Sequence, residues 1–164
     1  MVCQIEGNDS FLRSISCREC GPLPAREGRN GGHIEHQQHT SMIRAYRLYT
    51  GCDGDSHVER GSVSGGELVE AESILFKEIA AHSSFDWHND PIPQYVITLA
   101  GILEFTTLGG ETFTIHPGDV LLAVDHTGSG HRWRLINDEP WKRAYVVFKE
   151  GADTHFMPDH SVAR

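Results

Sequence analysis

Two histidines, His88 and His131, are the side chains of this chain best suited to carry chemistry. His131 begins the segment HRWRLI, in which Arg132 and Arg134 alternate with it. Because successive strand residues point to opposite faces of a sheet, arginines that face solvent place His131 on the inner side. Imidazole titrates near neutral pH, so two such histidines could exchange protons with a substrate.

The segment after His88 brings further polar groups toward the same place. Pro91 and Pro93 prevent a regular strand between His88 and Gln94, so this link is predicted to be a bend. The bend lets His88 and Asp90 turn toward one end of the fold. Gln94 opens the segment QYVITLAG, where alternation places it on one face and the next residue on the other.

Short strands separated by tight turns must position these residues. From Met42 onward, segments rich in β-branched and aromatic residues are bounded by Gly, Pro, Asn and Asp. The predicted strands are MIRAYRLYT (42–50), SILFKEIA (73–80), QYVITLAG (94–101), ILEFTT (102–107), ETFTIH (111–116), DVLLAV (119–124), HRWRLI (131–136) and RAYVVFK (143–149). No segment carries a long 3.6-residue period, so the pattern predicts an all-β sandwich or barrel.

Two motifs, FDWHNDPIPQYVITLAG and GGETFTIHPGDVLLAVDHTGSGHRW, resemble the two-part signature of the cupin superfamily. The matching positions are His88 (first histidine), Gln94 (acidic position), Gly101 (closing glycine), Pro117-Gly118-Asp119 (turn) and His131 (last histidine). The resemblance covers residues 73–149 and extends to small single-domain bacterial cupins that lack an assigned function. It implies a double-stranded β-helix, or jelly-roll, cupin barrel.

The resemblance also implies a metal site inside the barrel, with two departures from the family pattern. Cupins hold a divalent metal with three histidines and a carboxylate, whereas Asp90 replaces the second histidine here and Gln94 takes the acidic position. The implied ligands are therefore His88, Asp90, Gln94 and His131, and iron, manganese, nickel, zinc or copper suits such donors. The reduced ligand set leaves open the alternative that no metal is bound.

Four further residues are candidates for the wall of a substrate pocket: Phe76, Trp87, Asp125 and Trp133. The aromatic residues would supply apolar surface there, and ordinary core packing is the alternative. Asp125 lies in the loop before His131, where it either shapes the loop or contacts a ligand.

Three functions are compatible with these residues. A metal-dependent enzyme would act on a small organic substrate by lyase, isomerase or dioxygenase chemistry. A metal-free dehydratase or epimerase would use His88 and His131 as catalytic acid and base. A non-catalytic ligand-binding module is the third possibility, since a fold alone does not determine function.

Composition limits the partners and the location. The 164 residues carry a formal net charge of -9, which disfavours binding to nucleic acid. No apolar run approaches the roughly 20 residues of a membrane helix, no secretory signal is visible, and Cys52 is the single cysteine after residue 41. We therefore expect a cytoplasmic protein without membrane contact.

The expected partners are a small-molecule ligand and a second copy, paired through the edges of AYRLYT and RAYVVFK.

The first part of the chain differs in amino-acid composition from the rest. Residues 1–41 are rich in turn-forming residues and poor in apolar ones, which is typical of a flexible extension. The sequence predicts a β-barrel over residues 42–152 and a C-terminal tail over residues 153–164.

Overall fold

The structure, a computed structural model, describes residues 42–159. The predicted N-terminal extension and the last five residues of the predicted tail lie outside the described residues.

Over residues 42–159 the chain forms eleven β-strands and no helix, which confirms the all-β prediction. Accordingly, no helix in this range is long and apolar enough to cross a membrane. The strands are β1 (Met42–Thr50), β2 (Ser56–Ser64), β3 (Ala71–Ile79), β4 (Ser84–His88), β5 (Gln94–Ala100), β6 (Leu103–Thr107), β7 (Thr112–Ile115), β8 (Val120–Val124), β9 (His131–Leu135), β10 (Trp141–Phe148) and β11 (Phe156–Pro158).

These strands form two sheets. The larger sheet has the order β11-β2-β1-β8-β5-β10-β3, and the smaller one has the order β4-β9-β6-β7. β1 and β8 run parallel, whereas the other paired strands run antiparallel. Side chains of both sheets pack into one apolar cluster, so the arrangement is a β-sandwich consistent with a jelly roll.

Side-chain alternation builds this core as the sequence predicts. On β9, Trp133 and Leu135 are buried with His131, while Arg132 and Arg134 are exposed. On β5, Gln94 is buried on the same face as Val96 and Thr98. Other members of the central cluster are Leu48, Phe105, Phe113, Leu121 and Trp141. Alternation therefore carries Gln94 and His131 to the inner surfaces of the two sheets.

Three strands have no clear signal in the sequence, namely β2, β4 and β11. β2 has the polar sequence SHVERGSVS and pairs with β1 along its whole length. β11 falls within the segment predicted as a tail and pairs with the other side of β2. Pairing with neighbouring strands fixes these segments where apolar periodicity is weak.

The two segments expected to supply free strand edges are interior strands. β1 lies between β2 and β8, and β10 lies between β5 and β3. That expectation is wrong because backbone groups already paired on both sides cannot accept a further strand. At one end of the larger sheet lies β3, whose residues Ala71–Glu78 are exposed. The homodimer itself stays a prediction.

Candidate functional site

The strand ends bring the predicted polar residues together. β4 ends at His88 and β5 begins at Gln94, with the predicted proline-containing bend between them. His131 begins β9 and lies opposite His88 in the register of the smaller sheet. The centres of the two imidazole rings are 4.4 Å apart.

His131 is held by a buried carboxylate. Its Nδ1 lies 2.9 Å from Oδ2 of Asp125, and the side chains of His131 and Asp125 are 2% and 0% exposed. The hydroxyl of Ser56 donates to the same Oδ2 at 2.9 Å and accepts from the Gly130 amide at 2.9 Å. Because an ionised carboxylate only accepts hydrogen bonds, a neutral His131 carries its proton on Nδ1 and keeps the Nε2 lone pair free.

Asp90 lies on the other side of the His131 ring. It is buried, and its Oδ1 accepts a hydrogen bond of 3.3 Å from Nε2 of Gln94. Its Oδ2 is 3.8 Å from Nε2 of His131 and has no hydrogen-bond partner among the described residues. Burial raises the pKa of Asp90 from 3.8 to about 6, and the nearby Asp125 adds to this increase, whereas His131 and Gln94 oppose it.

His88 is fixed by a backbone group of its own strand. Its Nδ1 donates to the carbonyl oxygen of Asp86 at 2.7 Å, since a carbonyl can only accept. Burial lowers the pKa of His88, the bond to Asp86 opposes this, and the neighbouring His131 lowers the pKa further. These effects favour the neutral form of His88, in which the Nε2 lone pair is available to a ligand.

Three buried side chains form a group that could hold a metal ion. Asp90, Asp125 and His131 each offer one donor atom, and these atoms lie within 4.8 Å of one another. Carboxylate oxygen and imidazole nitrogen suit the divalent transition metals. His88 lies outside this three-atom group, although its ring is adjacent to that of His131.

A cavity of about 550 Å³ adjoins the group. Its wall includes His88, Asp90, Gln94 and Trp133, all of which the sequence singles out. Asp125 lies behind His131 and is not part of the wall.

Two predicted pocket residues lie elsewhere. Phe76 is 66% exposed, and the alternate residues of β3, including Leu75 and Lys77, line the cavity instead. Trp87 is 41% exposed, and its ring lies 4.9 Å from the guanidinium of the outward-facing Arg132.

Sequence reasoning missed two polar residues of this region, Ser56 and Arg143. Ser56 lies 69 positions from Asp125 in a weakly patterned strand, so no sequence signal links the two. Arg143 lines the cavity, and along β10 it shares a face with Trp141 and Tyr145, each two residues away. This spacing could have placed Arg143 on the inner face had the strand been read from Trp141.

No family model and no curated protein sequence matches the chain. One similar solved structure is a conserved protein of unknown function from Streptococcus pyogenes, with a TM-score of 0.32 and 19% identity over 50% of this chain and 79% of that chain.

Proposed function

We propose that this chain is a cupin-type enzyme that binds a divalent metal ion and acts on a small organic substrate in the adjoining cavity. The proposed ligands are His88, Asp90, Gln94 and His131. The observation that carries the proposal is the buried Oδ2 of Asp90, which lies 3.8 Å from Nε2 of His131 without a hydrogen-bond partner among residues 42–159.

This pair of atoms fits two ligands of one metal ion. A separation of 3.8 Å is too long for a hydrogen bond. Carboxylate oxygen and imidazole nitrogen are both ligands of divalent transition metals, so Asp90 and His131 could bind the same ion. A buried carboxylate oxygen without a partner is costly, and a cation would remove that cost.

The groups behind the histidines support the same assignment. Histidines that bind metals commonly donate their second ring N–H to a carboxylate or a carbonyl. His131 meets this description through Asp125, and His88 through the carbonyl of Asp86. We therefore place Asp125 behind the ligands, where it orients His131.

The metal, when bound, would supply Lewis-acid chemistry, which polarises a carbonyl or enolate oxygen. The protein's own groups would orient the substrate and limit its contact with water. Phe85 packs edge-on against His88 with ring centres 4.3 Å apart, and Trp133 lies against Phe85 at 6.1 Å. These rings place apolar surface beside His88, where it would favour electrostatic interactions with a bound substrate.

Metal analysis of protein purified without a polyhistidine tag tests the proposal. After incubation with iron, manganese, nickel, zinc or copper salts and desalting, we expect about one ion per chain with at least one metal. His131→Ala and Asp90→Asn should each lose the ion. His57→Ala is the matched control, because His57 is an accessible histidine that pairs with Asp53 and Glu111 away from the cavity. Less than stoichiometric binding with every metal, or retention by His131→Ala, would refute the metal site.

One observation favours a second candidate function, metal-free acid–base catalysis. The pair formed by Asp125 and His131 is a base held in a fixed tautomer, and Asp90 beside it has a pKa raised to about 6. A carboxyl group with a pKa raised toward neutrality can act as a general acid or base. If this candidate is right, the wild-type protein should exchange substrate C–H protons with deuterated water even when a chelator is present. The His131→Ala variant should not catalyse this exchange.

A further inference from the structure

One side chain of the cavity wall has a charge that the proposed metal site does not use. Arg143 belongs to β10, faces the interior with Trp141 and Tyr145, and is 7% exposed. It lines the same cavity as His88, Asp90 and Gln94. A guanidinium stays ionised at any physiological pH, so Arg143 is a permanent buried cation.

The guanidinium is fixed in place but only partly satisfied. Its Nε donates to the hydroxyl of Tyr145 at 2.7 Å, and its central carbon lies 3.8 Å from the centre of the Trp141 ring. Its Nη1 is buried without a hydrogen-bond partner in the described part of the chain, where no carboxylate lies within 4.0 Å of the group. A buried charge with neither counterion nor full hydrogen bonding is strongly unfavourable. An anionic ligand would supply what is missing.

We infer that the cavity binds a small organic acid, with the carboxylate held by Arg143. The inference rests on the proposed function, since it names the class of substrate for the same cavity. Tyr145 accepts from Arg143 through its oxygen, which leaves its own O–H free to donate to the carboxylate. Lys77, whose Nζ lies 5.8 Å from the centre of the Tyr145 ring, adds a second positive charge on the exposed strand β3.

The surroundings of Arg143 suit the carboxylate of a small organic acid. A planar guanidinium matches a carboxylate in charge and in its paired acceptor oxygens. The remaining wall contains apolar side chains, namely Leu75, Ile79, Ile92 and Val147. Such a wall suits a hydrocarbon body with one charged end.

The position of Arg143 also gives the bound molecule a direction. The carboxylate would lie at Arg143, and the opposite end would extend toward His88 and Asp90 on the same cavity wall. A substrate held at one end reacts at the other, because the binding energy of the remote group fixes the orientation of the reacting atoms. The acid would therefore carry its reactive carbonyl or hydroxyl group away from the carboxylate.

Titration with hexanoate and with hexanamide tests the inference. The amide has the same shape but no charge, and the binding signal is tryptophan fluorescence, because Trp133 and Trp141 lie beside the cavity and Arg143. Calorimetry provides a second signal. We expect the wild-type protein to bind hexanoate at least tenfold more tightly than hexanamide, and Arg143→Gln to lose this preference. Arg132→Gln, which changes an exposed arginine of β9, should leave the preference intact.

Several outcomes separate this inference from the proposed function. Equal binding of acid and amide to the wild-type protein, or no detectable binding of either, would overturn the inference, and neither result requires a folded variant. Unchanged hexanoate affinity in a folded Arg143→Gln protein would overturn it as well. If Arg143→Gln does not fold, Tyr145→Phe takes its place and should weaken hexanoate binding severalfold; an unchanged affinity would again refute the anchor. The metal content of the wild-type protein is measured in parallel. If that protein binds hexanoate but no metal, the proposed metal-dependent function is contradicted and the inference about Arg143 is not.

Discussion

Replacing Asp90 with asparagine should stabilise the metal-free protein near neutral pH, even though Asp90 belongs to the proposed site. The carboxyl group is buried, one of its oxygens has no partner among the described residues, and its pKa is about 6 rather than 3.8. A folded-state pKa above the unfolded value means that the folded protein binds the proton more tightly. The stabilising contribution of Asp90 is therefore fully present below pH 3.8 and is lost as the pH rises through about 6.

The size of the effect follows from the two pKa values. The difference between 3.8 and about 6 corresponds to about 3 kcal/mol, at about 1.36 kcal/mol per pH unit. Asparagine preserves the shape of the side chain and can still bond to Gln94, but it carries no charge to bury. The free energy of unfolding of Asp90→Asn relative to wild type should thus increase by up to about 3 kcal/mol between pH 4 and pH 8.

Urea unfolding with excess chelator, followed by tryptophan fluorescence at several pH values, measures this difference. Asp53→Asn is the control with the opposite sign, because hydrogen bonds from the Asp55 amide and from His57 lower the pKa of that exposed carboxyl. Its replacement should reduce stability at neutral pH. Saturating metal should reverse the order of wild type and Asp90→Asn. If the free energies of unfolding of wild type and Asp90→Asn change in parallel between pH 4 and pH 8, Asp90 does not titrate as a buried carboxyl and the reasoning fails.

Two further substitutions test how the site is held. Ser56→Ala removes the donor to Asp125 and the acceptor of the Gly130 amide, so urea unfolding should show a loss of about 1–3 kcal/mol, and metal titration a loss of about tenfold or more in affinity. Gly130→Ala would place a Cβ 2.8 Å from the carbonyl oxygen of His88, at a φ of +92°. Its cost should exceed that of the control Gly110→Ala, which has a φ of +90° but open space around the Cβ position, and which should lose only the backbone contribution of about 1–3 kcal/mol. If Gly130→Ala and Gly110→Ala lose the same free energy of unfolding, the carbonyl oxygen of His88 does not pack tightly against Gly130.

The fold could be predicted where burial on one face imposes alternation. β9 is the clearest case, because His131, Trp133 and Leu135 are buried while the two arginines between them are exposed. β2 could not be predicted in this way, since its sequence is polar and its place depends on pairing with β1 and β11. On β3, alternation gives the wrong prediction for Phe76. At the end of a sheet its side chains are exposed on both faces, so the large apolar Phe76 does not have to point inward.

The candidate site could be predicted only as far as its local motifs reach. The bend after His88 and the strand starting at Gln94 place these residues and Asp90 near one another. The support behind them depends on contacts between distant segments. The fully buried Asp125 accepts a hydrogen bond from Ser56 of β2, and hydrogen bonds of this range leave no pattern in a single sequence.

The unpaired polar atoms of the described residues give the strongest physical reason to regard this cavity as a ligand site. Native proteins leave few buried polar atoms without partners, because each such atom is costly. Of the four side chains with such an atom, Asp90 and Asp125 lie beside the paired histidines, and Arg143 lines the same cavity. The fourth, Arg47, bonds to Glu59 through another nitrogen. The Asp90 carboxylate at one end of the cavity lacks a cation, and the guanidinium of Arg143 lacks an anion, so a metal ion together with an organic carboxylate would satisfy both groups. Conflicts between local stability and burial are expected to concentrate at functional sites, and here the two proposed ligands, which are opposite in charge, would resolve both conflicts.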